Sequence, residues 1–205
     1  ISTEQVLDPV QLEPDRRQHW LARLSTWRAF SVDVETAGPI VGEHSMLTVG
    51  ACLVHQPEIS FSIMLKPVSE KSVAEALKIT GLTLEQAETE GVTPSEAMTE
   101  FSAWIAKNVP KESSPVFVGL NAPFDWGFVN YYFLKYLGEN PFGFTALDIK
   151  ALFMGATGCS WYETRSSAID KVVHPNQKGD HDALHDAKYQ AELFRLVRAL
   201  AERSD

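Results

Sequence analysis

The sequence predicts an α/β fold: a mixed five-stranded sheet, three strands antiparallel and then two parallel, flanked by helices. Two observations predict it. Before residue 66, three stretches rich in β-branched and aromatic residues follow one another through short, turn-forming connections, as in an antiparallel meander. After that point the period changes, and amphipathic helical stretches alternate with short apolar strands, the pattern of a sheet with parallel members.

The first strand runs from Trp27 to Glu35 and stops ahead of the Gly38-Pro39 breaker. The second is Met46–Val54. The third is Ile59–Leu65, reached through the turn-like His55-Gln56-Pro57-Glu58. Thr93-Pro94-Ser95-Glu96 opens a helix with an N-cap, a proline at the first helical position and a capping-box glutamate. Ala97, Phe101, Trp104 and Ile105 form its apolar face, and it ends before Pro110. Pro115–Leu120 is apolar on both faces, the mark of a buried parallel strand. Asn121-Ala122-Pro123 caps the next helix, with Phe124, Phe128, Tyr131 and Leu134 as its face and Gly138 as its end. Phe144–Ile149 is the fifth strand and leads into a short helix over Lys150–Met154. Residues 155–180 carry no clear period. A final helix starts near Asp180-His181 and reaches about Arg203, with Ala187, Ala191, Phe194, Val197 and Ala201 as its stripe. Residues 1–26 form a helical extension in which Trp20, Leu21, Leu24 and Trp27 share a face. That face packs on the domain or on a second copy, as in a homodimer. Residues 27–205 form one domain, with no repeat or linker to divide it.

The chain has 205 residues and a net charge of −9, which argues against a broad basic footprint for long nucleic acid. Its two cysteines, Cys52 and Cys159, make neither a C-x-x-C pair nor a disulfide framework, so a cytoplasmic location is expected. No apolar run approaches the length of a membrane span, so no membrane partner is expected.

Three groups of residues carry the chemistry. Asp33 and Glu35 stand two apart on the first strand, so period two sends both carboxylates to one face and Val32 and Val34 to the other. Like charges on a half-buried strand repel and lose hydration, and a hard divalent cation relieves both. A polar strand end running into solvent is the plainer reading of the pair alone. Asp125 falls in the first turn of the helix after the buried strand. The helix dipole favours an acid there, and open α/β sheets place their ligands at that carboxyl end of a strand. His181 and Asp186 flank the entrance of the last helix, where Ala183 and Ala187 allow close approach to the sheet.

Asp33-Val34-Glu35-Thr36, Asn121-Ala122-Pro123-Phe124-Asp125 and His181-x-Ala183-x-x-Asp186 together resemble the three motifs of the DEDD exonuclease superfamily, in the branch with a histidine (DEDDh). That branch includes proofreading exonucleases, ribonuclease T and oligoribonuclease. The resemblance spans roughly residues 28 to 200, and Thr36-Ala37-Gly38 brings it nearest to ribonuclease T. It implies a ribonuclease H-like fold and a metal-dependent 3′→5′ exonuclease releasing nucleoside 5′-monophosphates from single-stranded RNA or DNA. It implies two Mg²⁺ or Mn²⁺ ions held by Asp33, Glu35, Asp125 and Asp186, one activating water and the other stabilising the leaving oxygen. His181 would be the general base, since a free imidazole titrates near pH 6.5. Thr36, Ala37, Leu47, Asn121 and Phe128 would contact the terminal nucleotide, although core packing accounts equally well for Leu47 and Phe128. One departure stands out: Leu120 takes a position where members often carry histidine. A non-catalytic binding module on the same fold is one rival. A two-metal endonuclease is another, and action on a circular single strand separates it from an exonuclease.

Overall fold

The computed structural model describes residues 27–201; the expected N-terminal helix and the last residues of the final helix lie outside that range. Its sheet has five strands in the order β3-β2-β1-β4-β5. They are β1 (Trp27–Thr36), β2 (Met46–Leu53), β3 (Gln56–Met64), β4 (Ser114–Gly119) and β5 (Ala146–Asp148). β1, β2 and β3 pair antiparallel, while β4 runs parallel to β1 and β5 parallel to β4. This is the arrangement expected from the change of period.

β1 lies at the centre and is buried on both faces. Phe30, Val32 and Val34 enter one core with Phe101, Phe117, Phe128 and Tyr132, which are carried by β4 and by α3 (Pro94–Asn108) and α4 (Pro123–Leu137). Ala29 enters the opposite core with Val118, Ile149, Phe194 and Val197, beneath α5 (Ile149–Thr157) and α7 (Ala183–Ala201). Period two along β1 therefore puts Asp33 and Glu35 on the α7 side, at the end of the strand.

Several boundaries move. The helix after Thr93 forms as read, with the full capping box in place. The next helix does not use Asn121 as its cap. Ala122 occupies that position without a side-chain bond, and Asn121 adopts a left-handed backbone with φ of 66°. The buried face of α4 is Asp125, Phe128, Val129, Tyr132 and Phe133, so Phe124 and Leu134 of the expected stripe face solvent instead. β5 is shorter than expected: Phe144 is 96% exposed, and Asp148 turns from strand to N-cap by accepting a hydrogen bond from the Ala151 N–H. Three helices gave no readable period: α1 (Ala74–Thr80), α2 (Leu84–Glu90) and α6 (Ser166–Val173). Each is only two turns long. α1 buries no residue, and α2 and α6 bury one apiece, so there is too little apolar stripe to register. Of the described stripe on α7, Ala187, Ala191, Phe194 and Val197 are buried, and Ala201 is exposed.

The contact that fixes the site is at Gly50 of β2. A β-carbon there would lie 2.2 Å from the carbonyl carbon of Ala183, so only glycine lets the start of α7 lie directly against the sheet.

Candidate active site

The last β1–β4 pair is Ser31 with Val118; beyond it the two strands separate and a cleft opens at their carboxyl ends. A cavity of about 500 Å³ occupies that cleft. Asp33, Glu35, Asp125, His181 and Asp186 all line it.

Each acid arrives by its own route. Asp33 and Glu35 stand on the free end of β1. Asp125 is buried in the first turn of α4 and accepts a hydrogen bond of 3.1 Å from the N–H of Val34, which lies past the last β4 partner. Asp186 is in the first turn of α7 and accepts one of 2.8 Å from the Asp180 N–H. Burial and mutual repulsion raise the pKa of all four carboxyls. Burial acts first on Asp33, then the charges of Asp125, Glu35 and Asp186, while a hydrogen bond from Gln190 opposes them. Glu35 is pushed up to about 8 by burial and then by Asp186 and Asp125. Asp125 rises to about 7, chiefly through burial, against the pull of the Val34 N–H. Asp186 moves the same way, with burial again the main cause. Burial and nearby acids disfavour the charged form of each carboxyl, a nearby cation would offset both, and oxygen donors suit a hard divalent ion. Oxygens of Glu35 and Asp186 and a ring nitrogen of His181 lie within 4.8 Å of one another.

His181 sits in the loop before α7, not in the helix, and is exposed with a left-handed φ of 63°. That loop is tied at two points. Glu192 accepts hydrogen bonds from the Asn176 and Gln177 N–H groups and from the Asn176 side chain, and Asp186 holds Asp180. The histidine is thus delivered to the cleft from a short, anchored span. His185 faces away and pairs with Asp180 at 3.0 Å.

Of the residues expected to meet the substrate, only Asn121 lines the cavity. Leu47 and Phe128 are fully buried, Leu47 beside Ala37 and Ala87 and Phe128 in the main core. The backbone N–H and carbonyl of Ala37 bond to Ser45 and Val73, and the Thr36 hydroxyl donates to Gly38. Leu47 and Phe128 serve the core, as apolar residues beside a central strand commonly do. Two aromatics do reach the cavity: Tyr189 of α7, and Phe124, which leans on Phe128 with ring centroids 5.4 Å apart.

Gln190 was not legible as a site residue. Its Nε2 donates to Asp33 at 2.5 Å and its Oε1 accepts from the Leu120 N–H at 2.8 Å, tying α7 to the ends of β1 and β4. The signal was its place one helical turn after Asp186 on the same face. Leu120, the departure from the motif, joins this bridge through its backbone, which any side chain could supply.

The family model described as Exonuclease (RNase_T) matches residues 30–194. The chain belongs to the exonuclease family. A relative from Escherichia coli, the 3′-5′ DNA exonuclease Cap18, is 55% identical over 173 residues, which cover 84% of this chain and 92% of that protein. Among solved structures, the nuclease domain of 3′hExo, a DEDDh family member bound to rAMP, has a TM-score of 0.69 at 16% identity. It covers 84% of this exonuclease and 92% of that chain. E. coli Exonuclease I in complex with a dT13 oligonucleotide has a TM-score of 0.68 at 18% identity, covering 87% and 42%. The expected ribonuclease H-like fold and the exonuclease family therefore stand. No helix of the described residues is long and apolar enough to cross a membrane.

Proposed function

We propose that this exonuclease hydrolyses single-stranded DNA from the 3′ end, releasing nucleoside 5′-monophosphates, with a divalent-metal centre and His181 as the base. The observation that carries the reading is the convergence of Asp33, Glu35, Asp125 and Asp186 from three separate elements onto one cleft. The identity to a 3′-5′ DNA exonuclease supports polarity and substrate.

Asp33, Glu35 and Asp186 would hold the cations directly, with Asp125 completing the set from its buried position. When bound, Mg²⁺ or Mn²⁺ there neutralises the attacked phosphate, activates water and stabilises the leaving 3′ oxygen. The protein's own contribution is placement. Gln190 fixes the carboxylate of Asp33, and the Val34 N–H fixes that of Asp125, so neither reorganises as charge develops. A ring nitrogen of His181, near Glu35 and Asp186, would take the proton of the attacking water. Asn121 and Phe124 border the space left for the terminal nucleotide.

Digestion of single strands labelled at either end, as DNA and as RNA, tests this directly. The expected result is stepwise shortening of the 5′-labelled strand, immediate release of the 3′ label as mononucleotide, and loss of both with chelator. Cleavage of a circular single strand would instead make the enzyme an endonuclease.

A further inference from the structure

The segment between α5 and α6 has a feature that the catalytic cleft does not require. Residues Trp161–Glu163 form a single 3₁₀ turn that presents two aromatic rings to solvent: Trp161 is 51% exposed and Tyr162 is 81% exposed. Exposed aromatics usually accompany loose backbone, but here the backbone is fastened. Glu163 Oε2 accepts from the Ser160 N–H at 2.9 Å and from the Ser160 hydroxyl at 2.8 Å. Thr164, fully buried, donates its hydroxyl to the Trp161 carbonyl at 2.7 Å. The two exposed rings are thus carried on an ordered backbone.

Its position is tied to the cleft through Lys150, in the first turn of α5. The Lys150 ammonium lies 4.4 Å from the centre of the Trp161 ring and 3.5 Å from Oδ1 of Asn121, which lines the catalytic cavity. Catalytic cavity, polar side chain, cation and indole are therefore contiguous. The ammonium lies over one face of the indole, which leaves the opposite face for a base while the cation can meet a phosphate. The chain as a whole has nine more acidic than basic residues, so long-range attraction cannot hold a polyanion here, and affinity has to come from local contacts.

We propose that Trp161 and Lys150 form a second nucleotide station, where a base of the single strand stacks on Trp161 and its phosphate pairs with Lys150, upstream of the bond being cut. The station rests on the exonuclease reading above. It selects single strands, because a base stacked and paired inside a duplex cannot present its face to the ring. It does not distinguish bases, because every base has a π-face.

The test compares Trp161→Ala and Trp161→Phe with the wild type on a 5′-mononucleotide p-nitrophenyl ester, which has no upstream nucleotide, and on a single strand of about twelve nucleotides. Stacking on one aromatic predicts that Trp161→Ala lowers kcat/KM on the longer strand by roughly 5- to 100-fold more than on the ester. The change should fall mainly in KM, and Trp161→Phe should recover most of the loss. Lys150→Ala should flatten the salt dependence of binding by about 0.7 log units per log unit of salt, one phosphate's worth on a single strand. Equal losses on the two substrates, or none on either, would overturn the station while leaving the exonuclease assignment intact. Absence of hydrolysis by the wild type would overturn the assignment itself. Melting temperatures of the Trp161 variants should stay close to the wild type, since half of that side chain is exposed.

Discussion

Replacing Asp125 by asparagine separates the catalytic use of this acid from its cost to the fold. The carboxamide keeps an oxygen for the Val34 N–H but removes the buried charge. In the folded, metal-free protein the carboxyl titrates near 7, against 3.8 as a reference. A raised folded pKa means the folded state holds its proton longer than the unfolded one, so stability falls as pH climbs from about 4 to above 7. From 3.8 to about 7 is roughly three pH units, which at about 1.4 kcal/mol each sets a ceiling of about 4 kcal/mol on the penalty at pH 8. Relaxation and coupling to Asp33 reduce this, and a gain of about 2 kcal/mol for Asp125→Asn at pH 8 is expected, against little at pH 4. For a domain of this size that is an increase in Tm of about 4–8 °C. The assay is thermal unfolding in chelator across pH 4–8, with hydrolysis measured in parallel under Mg²⁺. Asp125→Asn should be inactive, and more stable than the wild type only toward high pH. A gain of equal size at every pH, or a loss at pH 8, would refute the electrostatic reasoning.

Other expectations follow from single contacts. Gly50→Ala should push the start of α7 off β2 and displace Asp186, lowering activity at least tenfold and destabilising the fold by about 1–3 kcal/mol, read by kinetics and denaturant unfolding. His181→Ala should slow hydrolysis about 10²–10⁴-fold while leaving Mn²⁺ affinity within a few-fold, whereas His185→Ala, whose ring pairs with Asp180 outside the cleft, should do little. Gln190→Ala should lower kcat about tenfold and leave the Leu120 N–H and Asp33 without their bridge, so that weaker metal binding in calorimetry accompanies the kinetic loss.

The sheet was legible because its strands are long or apolar enough to show their period. β1 alternates between Phe30, Val32 and Val34 on one side and Ser31, Asp33 and Glu35 on the other, and the structure divides them in the same way. The convergence of Asp33, Glu35, Asp125, His181 and Asp186 was legible because each belongs to a short motif fixed to a strand end or helix start. The other residues that line the cavity beside them were not, Asn121 apart. Leu47 and Phe128 look as a base-stacking residue looks in sequence, and nothing in local chemistry says that the fold closes over them. Phe124 was assigned to the core stripe of α4, and the helix is rotated by one residue from that reading because Asp125 and Val129 turn inward. Gln190 and the Asp180–Asp186 bond join groups from separate parts of the fold or within a loop, and such pairings become visible only when the backbone is placed. The short helices α1, α2 and α6 bury too little to leave a period.

If the four carboxylates lie together to hold divalent cations for phosphodiester hydrolysis, calorimetric titration of the metal-free enzyme with Mn²⁺ near pH 7 should show it. About two ions should bind per chain, with proton release because Glu35 and Asp125 must give up protons they hold near neutral pH, and Asp33→Asn should lose binding. Absence of Mn²⁺ binding, or binding that releases no protons and survives Asp33→Asn, would overturn the metal-site assignment.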